Sequence, residues 1–572
     1  MSASSGESDG NGRRDEPRDL KNRIVVPFCP ESRLSGVDNQ DFHNAVWYRK
    51  EITIPSDWVD CHTILHFQAV DYDATVWVNG VEVGRHRGGF TPFELDLDGV
   101  VSPGAKATIV VRARDDHRLP TPKGKQTRTY ENRGCDYTRT TGIWQTVWLE
   151  PVSPTYLRRP RIAPDLAASA FRITVPVVGP RVGMTLAVEV HADGVSVATC
   201  SVPIDVDFQP TIDAVIPRDR LHLWSPQDPF LYDLTFELLD DQGNCLDRVM
   251  SYAGMRSVTI RGKAILINGQ PEFQRLVLDQ GYYPDGIMTA PTDAALLRDI
   301  ELAKEAGFNG ARLHQKVFEE RFLFHADVTG YLLWGEFADW GCGGFGPPED
   351  HQQPSATYIT QWLEVLERDF SHPAIVGWCP LNETWQGITD KVRVLDDVTL
   401  GLFLATKAFD LTRPVLDTSG YSHRVPETDV YDSHSYEQDV PKFAEMMSGL
   451  SSGRPHVNVG DRAVAFSTPY RGQPYFCSEF GGIWWSPGAR PGEVTWGYGD
   501  RPQSEEEYYE RFAALCHVLL SNPDMFGYCY TQLTDVFQEQ NGVVAFDRSY
   551  KLDLRRLKKA QARVAAMEMG TR

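Results

Sequence analysis

None of the ten cysteines, at 29, 61, 135, 200, 245, 342, 379, 477, 516 and 529, is spaced as C-x-x-C or grouped with histidine. That argues against a zinc site or a disulfide framework and leaves scattered, reduced, mostly buried thiols. No run of about 18 apolar residues exists, so no membrane span is expected. Positive charge is in short supply: 57 Lys+Arg face 78 Asp+Glu, a formal net charge of −21. A phosphate backbone or an anionic membrane surface is therefore disfavoured as a partner. The opening MSASSGESDGNGRRDEPRDL lacks the apolar core of a signal peptide and reads as a disordered tail over residues 1–20. With the unpaired thiols, this points to the cytoplasm. No Gly-rich phosphate loop follows an early strand, which counts against a doubly wound nucleotide-binding sheet.

Aromatic residues are abundant, with 14 Trp, 22 Tyr and 27 Phe. They suit stacking on flat apolar ring faces, sugars among them, but large cores use them too. A chain of 572 residues has room for about three to five domains. Residues 21–152 read as all-β: VWYRKEITI, TILHFQAV, ATVWVNGVEVGRH and KATIVVRAR are short β-branched and aromatic runs, with Asn79-Gly80 as a hairpin turn. Residues 153–262 continue as a second sandwich of immunoglobulin size, through FRITVPV, MTLAVEVHADG and LYDLTFELLDDQG.

From residue 263 to 572 strand and helix alternate. Thr292 caps a helix with Leu296, Ile300 and Ala303 on one face, and Gly307 ends it. FNGARL, PAIVGWCPL and MFGYCYTQL read as strands; Ile359, Trp362 and Leu366 mark a helix, and Ser504 with Glu507 caps another. The rhythm predicts a (β/α)8 TIM barrel, in which catalytic residues gather at the C-terminal ends of strands. Two carboxylates obey that rule. Glu383 follows PAIVGWCPL, and Glu479 lies in FCSEFGG, 96 residues later. A buried carboxyl suits a general acid, and an ionised one suits a nucleophile. Sequence spacing leaves their separation open, and with it the choice between retention and inversion in glycoside hydrolysis.

At these residues the sequence resembles glycoside hydrolase family 2, the family of β-galactosidases, β-glucuronidases and β-mannosidases. HNAVWYRKEITIP, DYDATVWVNGVEVGRHRGGFTPFELDL and RTTGIWQTVWLEPV are similar to the family's N-terminal sugar-binding jelly roll. YAGMRSVTIRGKAILINGQP resembles the passage from an Ig-like domain into the barrel, and GFNGARLHQ, HPAIVGWCPLNETW and FCSEFGG resemble barrel motifs. The resemblance implies Glu383 as acid/base and Glu479 as nucleophile of a retaining exo-glycosidase. It also implies Asn382 on the sugar 2-hydroxyl, Tyr436 and Arg312 beside the nucleophile, and His314 lining the pocket. His434, Asp279, Trp484 and Trp485 are further candidates for contacting sugar. Asp279 reads equally as a turn former, and one of the two tryptophans is expected to stack while the other packs.

Departures bear on the substrate. Many β-glucuronidases carry Asn-x-Lys after the last barrel strand, where this chain has Asn541, Gly542 and Val543. Lys551 substitutes only if its loop folds back. The Glu-x-His magnesium motif of large β-galactosidases is missing from LLWGEFADWGCGG, so no metal or other cofactor is expected. Tyr530 and Gln532 stand where many members have a tryptophan, and the chain stops at the barrel without the large C-terminal sandwiches. The resemblance thus implies a β-galactosidase-like enzyme on a carbohydrate substrate, with β-glucuronidase or furanosidase activity (β-galactofuranoside or α-L-arabinofuranoside) as alternatives. From another class, a catalytically inactive carbohydrate-binding protein is the alternative. A homo-oligomer is a weaker expectation.

Overall fold

The computed structural model describes residues 2–5, 20, 22–340, 354–460 and 464–569. Most of the expected tail, and Cys342, lie outside the described residues. Within that tail Ser2–Ser5 forms a strand inserted between Val46–Thr53 and the edge strand Asn22–Arg23, antiparallel to both. The described cysteines are all unpaired.

The first β-sandwich packs a sheet containing Val46–Thr53, Lys106–Arg114, Asp73–Val78 and Val81–Arg87 against Val147–Val152, His62–Phe67 and Phe93–Asp96. Alternation along Lys106–Arg114 sends Ala107, Ile109, Val111 and Ala113 into the core with Tyr48, Phe67 and Val76. The hairpin turns at Asn79-Gly80, both at positive φ, 51° and 79°, as a two-residue turn matched to strand twist requires. The second sandwich places Thr185–Ala192, Val195–Pro203, Tyr232–Leu239 and Cys245–Ala253 over Arg161–Asp165, Ala170–Thr174 and Thr211–Val215. Phe171, Ile173, Val188, Leu234 and Phe236 fill the space between the sheets.

The remainder is a curled, wholly parallel seven-stranded sheet resembling a TIM barrel. Its strands are β1 Gln274–Asp279, β2 Gly310–Leu313, β3 Leu332–Glu336, β4 Ile375–Cys379, β5 Tyr431–Ser435, β6 Tyr475–Gly481 and β7 Met525–Thr531. The order is β4-β3-β2-β1-β7-β6-β5. Between the sheet's edges, β4 and β5, residues 414–419 run beside β4. Trp378 N–H donates to Pro414 O at 3.1 Å and its carbonyl accepts from Leu416 N–H at 2.9 Å, and Ser419 N–H donates to Leu381 O at 2.9 Å. Helices lie outside, among them α1 Asp293–Ala306, α2 Glu320–Thr329 and α3 Ala356–Asp369. The Thr292 hydroxyl accepts from Ala295 N–H, and Gly307 closes α1 at φ 98°, as the sequence predicts.

One long loop ties the first sandwich to this sheet. Residues 115–141 cross from Lys106–Arg114 to the barrel mouth. There Gly124 N–H donates to Ala338 O, and Gly134 O accepts from the Trp496 indole N–H and the Gln538 amide.

Candidate active site

The C-terminal strand ends converge on two glutamates. Glu479 lies within β6, wholly surrounded by buried neighbours. Glu383 lies four residues past β4, with its side chain 15% exposed and its backbone at φ 48°. A non-glycine residue in that left-handed region costs on the order of 1 kcal/mol. It is held there by Glu383 N–H donating to Ser419 O at 2.9 Å.

His434, at the end of β5, bridges the pair. Its Nδ1 lies 2.6 Å from Glu383 Oε1, and its Nε2 is 3.5 Å from Glu479 Oε1 and 2.9 Å from Ser419 Oγ. Ser419 donates to Asp432 Oδ2 at 2.7 Å, so its oxygen is free to accept from Nε2–H. Burial works against protonation of His434, but the Glu479 and Glu383 carboxylates outweigh it and raise its proton affinity. The ring sits so close to the chain that a Cβ on Gly420 (φ 80°) would lie 2.5 Å from it. Ligand atoms of Glu383, His434 and Glu479 all fall within 4.8 Å of one another, near enough to share a cation. The proton on His434, held by both carboxylates, competes for that place.

Arg312, from β2, organises the other side. Its guanidinium donates to Glu336 Oε1 (2.6 Å), Ser478 O (2.7 Å), Glu479 Oε1 (3.1 Å) and Asn382 Oδ1 (2.9 Å). Tyr436 donates its hydroxyl to Glu479 Oε2. Burial pushes the Glu479 carboxyl up, but the charges of His434, His314, Arg312 and Lys125 hold it well below the ordinary carboxylate range. His314 itself is driven by burial well below its usual titration, so near neutral pH the holding charges are His434, Arg312 and Lys125. With its oxygen bonded to Arg312, Asn382 keeps a buried Nδ2 that has no partner, an open donor next to both glutamates. His314 Nδ1 lies 3.3 Å from Glu336 and 3.9 Å from Glu479.

Asp279 and the two tryptophans are not drawn into this group. The Asp279 carboxylate accepts from Gly281 N–H at 2.9 Å, a turn bond. Burial and the neighbouring Asp299 push its pKa up. Gly481 and Gly482, at φ 78° and 60°, turn the chain away from the nucleophile before Trp484. Trp485 then packs on Tyr508, while the Trp484 indole donates to Thr495 and lies beneath Arg501. The ring that does stack in the site is Tyr498, parallel to Tyr436 at 3.5 Å. Its N–H donates to Gly482 O, bringing the chain back. Lys551 does not reach the pocket unpaired: it donates to Asp535 at 2.7 Å.

Sequence reasoning missed three more groups. Glu336 ends the apolar run LLWGE, the same signal that marked Glu383, and fixes Arg312. Glu539 is 1% exposed and accepts from Tyr137 of the long loop. It is held by an amide relay, Gln280 to Gln532 to Asn541 to Glu539, at 2.9, 2.7 and 3.1 Å. Gln532 and Tyr530, flagged at the last strand, thus serve the relay and a hydroxyl pair with Tyr508 (2.9 Å). Lys125 carries no local signal at all. A cleft of about 620 Å³, lined by Tyr421, His434, Tyr436, Gln438 and His456, opens beside the glutamates.

Behind the site His423 sits between Asp417 (2.8 Å) and Asp432 (3.0 Å), with all three fully buried. Burial opposes its charge, but the two aspartates raise its titration to about 10. A raised histidine stabilises the fold fully below its unfolded value, about 6.5, and the contribution is lost as pH rises through 10. The melting temperature is expected to fall between pH 6.5 and 10, and His423→Gln to flatten that slope. A mutant slope equal to the wild-type one would refute the assignment.

Two consecutive family models match the sandwiches: "Glycosyl hydrolases family 2, sugar binding domain" over residues 33–150 and "Glycosyl hydrolases family 2" over 155–256. Among curated relatives, the β-glucuronidase of Paenibacillus borealis is 26% identical over 370 residues, 60% of this chain and 59% of that protein. The β-galactosidase of Thermoanaerobacter pseudethanolicus is 28% identical over 353 residues, 59% of this chain and 44% of that protein. The match therefore spans only about half of these relatives. Of solved structures, the β-glucuronidase of Faecalibacterium prausnitzii superposes at a TM-score of 0.76 and 20% identity, covering 98% of this chain and 96% of that one. A family 2 β-galacturonidase from Eisenbergiella tayi gives 0.72 at 20% identity, covering 94% and 92%; at that identity the likeness is one of fold. Sandwich models in sequence order, joined to a parallel barrel-like sheet whose strand ends carry the paired glutamates, and relatives that are β-glucuronidases and β-galactosidases together support one family for this chain, glycoside hydrolase family 2.

Proposed function

We propose that the chain is a retaining, exo-acting glycosidase that cleaves β-linked glycosides. The observation that carries this reading is the close pairing of Glu383 and Glu479 across His434, with carboxylate oxygens within 4.8 Å. Retaining enzymes place their carboxyl groups about 5–5.5 Å apart, whereas inverting ones need about 6.5–9.5 Å to admit a water. In this scheme Glu479, ionised, attacks the anomeric carbon as Glu383 gives its proton to the departing oxygen. Water, deprotonated by Glu383, then displaces the glycosyl group from Glu479. Asn382 Nδ2 is the donor for the 2-hydroxyl, and Tyr436 and Arg312 keep the nucleophile ionised. The names of the relatives, β-glucuronidase and β-galactosidase, support β-glycosides as the substrate class.

The same reading divides the chain at about residues 152 and 262 into a jelly roll, an Ig-like sandwich and a (β/α)8 barrel. Residues 414–419 serve as the barrel's irregular fifth stave. The limits of the matching family models, 33–150 and 155–256, support that division. Among the described residues no helix is long and apolar enough to cross a membrane.

The test is stereochemical. Proton NMR of the first product from an aryl β-glycoside is expected to give the β-anomer. Glu383→Ala is expected to lose about 10²–10⁴-fold in kcat/KM on an alkyl or phenyl glycoside, and much less on dinitrophenyl glycosides, which leave without a proton. An α-anomer, or a loss independent of leaving group, would refute the scheme.

A further inference from the structure

Lys123, Lys125 and Lys316 are the lysines buried among the described residues. Lys123 donates to His117 O, and Lys316 donates to Gly281 O and Met288 O. Lys125 is 6% exposed; its carbonyl accepts from Tyr137 N–H at 2.7 Å, but among the described residues its ammonium makes no hydrogen bond or ion pair. Its ammonium lies 5.3 Å from the Trp340 ring and 5.9 Å from that of Tyr137. The residue before it is pressed on Gln315, since a Cβ on Gly124 would sit 2.3 Å from Gln315 O. The Gln315 side-chain amide is buried with neither its nitrogen nor its oxygen partnered.

An ammonium taken from water without a partner costs several kcal/mol. A pocket that only had to recognise hydroxyls would not need to carry that cost, because neutral donors such as Asn382 Nδ2 suffice. Burial pulls the Lys125 pKa down and the acidic groups around it raise it; the Cys135 thiol is itself driven well up by burial and stays neutral, so the carboxylates of Glu539, Glu479 and Glu383 are the charges that retain the ammonium. These groups act through space and leave its N–H donors open. Glu479 and Glu383 are already balanced by Arg312 and His434 at 3.1 and 2.6 Å. The Glu539 carboxyl is pushed up by burial, towards its neutral form. What remains is a largely buried cation with open donors, on a loop whose preceding residue presses on the one bearing the open amide, and the group that satisfies both is a carboxylate.

We propose that Lys125, with the Gln315 amide, receives a carboxylate borne by the sugar, so that the substrates are β-linked uronides. This rests on the glycosidase reading above and names the substrate class of that site. The experiment compares wild type with Lys125→Met, which keeps length and loses charge. Substrates are nitrophenyl β-glucuronide and β-galacturonide against the corresponding neutral β-glucoside and β-galactoside. The ratio of kcat/KM, uronide over neutral, is expected to favour the uronide in wild type and to fall at least 100-fold in the variant. A ratio unchanged by the substitution, or a wild type that prefers the neutral sugar, would overturn the proposal. Calorimetric binding of glucuronate and galacturonate against glucose and galactose decides it independently of turnover. Uronate binding lost in Lys125→Met supports it even if no glycoside is cleaved, an outcome that would sink the glycosidase reading alone. Wild type binding uronate no better than the neutral sugar would overturn it.

Discussion

Glu479→Ala loses turnover of aryl β-glycosides by on the order of 10⁵-fold, because the attacking oxygen and the intermediate it forms are both removed. The size follows from how completely the site is built around this carboxylate. Tyr436 donates to one oxygen, Arg312 to the other at 3.1 Å, and His434 stands 3.5 Å away. In the alanine variant a small anion such as azide fits the vacated place. It is expected to restore turnover with the glycosyl azide formed in the opposite anomeric configuration. A 2-fluoro glycoside, which slows the second step, should label wild-type protein on the peptide containing Glu479. Label on another residue, or wild-type rates in Glu479→Ala, would remove Glu479 from the mechanism.

The second large effect is at Arg312, which touches no sugar in this scheme. Arg312→Met leaves Glu336 and Glu479 buried at 3% exposure without their shared cation. Breaking a buried pair by removing one partner costs about 3–5 kcal/mol, to be read from urea unfolding. The nucleophile also loses one of the charges that hold it ionised, so its pKa rises. A nucleophile with a raised pKa is ionised over a narrower range, and the acid limb of kcat/KM moves to higher pH. Stability lost without a moved acid limb would mean that Arg312 serves the fold alone. Arg312→Lys keeps the charge but not the four-pronged geometry, and is expected to recover the pH profile more than the stability.

Local rules read well where local physics decides. The α1 caps at Thr292 and Gly307, the Asn79-Gly80 hairpin and the apolar runs that become β4, β6 and β7 all follow from neighbours within a few residues. Carboxylates at the ends of such runs identified Glu383 and Glu479. The same rule applied to Asp279 points to a side chain that turns back on Gly281, because strand-end position does not fix χ angles. Trp484 and Trp485 were singled out by adjacency to Glu479, and the two left-handed glycines between them and the nucleophile redirect the chain. Residues 414–419 escape notice because Asp417 and Ser419 there serve side-chain networks with His423 and Asp432 rather than a regular ladder. Lys125, Tyr137 and Glu539 meet only in three dimensions, 402 residues separating the tyrosine from the glutamate it bonds.

The loop that carries Lys125 and Tyr137 has a consequence for inheritance. The two glutamates that do the proposed chemistry and the cation that selects the sugar sit on different halves of the molecule. Contacts such as Gly124 N–H to Ala338 O, the Trp496 and Gln538 side chains to Gly134 O, and Tyr137 to Glu539 hold them in register. A lineage can then retune what it eats by rewriting one turn of a domain that never touches a breaking bond, while the bond-breaking apparatus is left as it was.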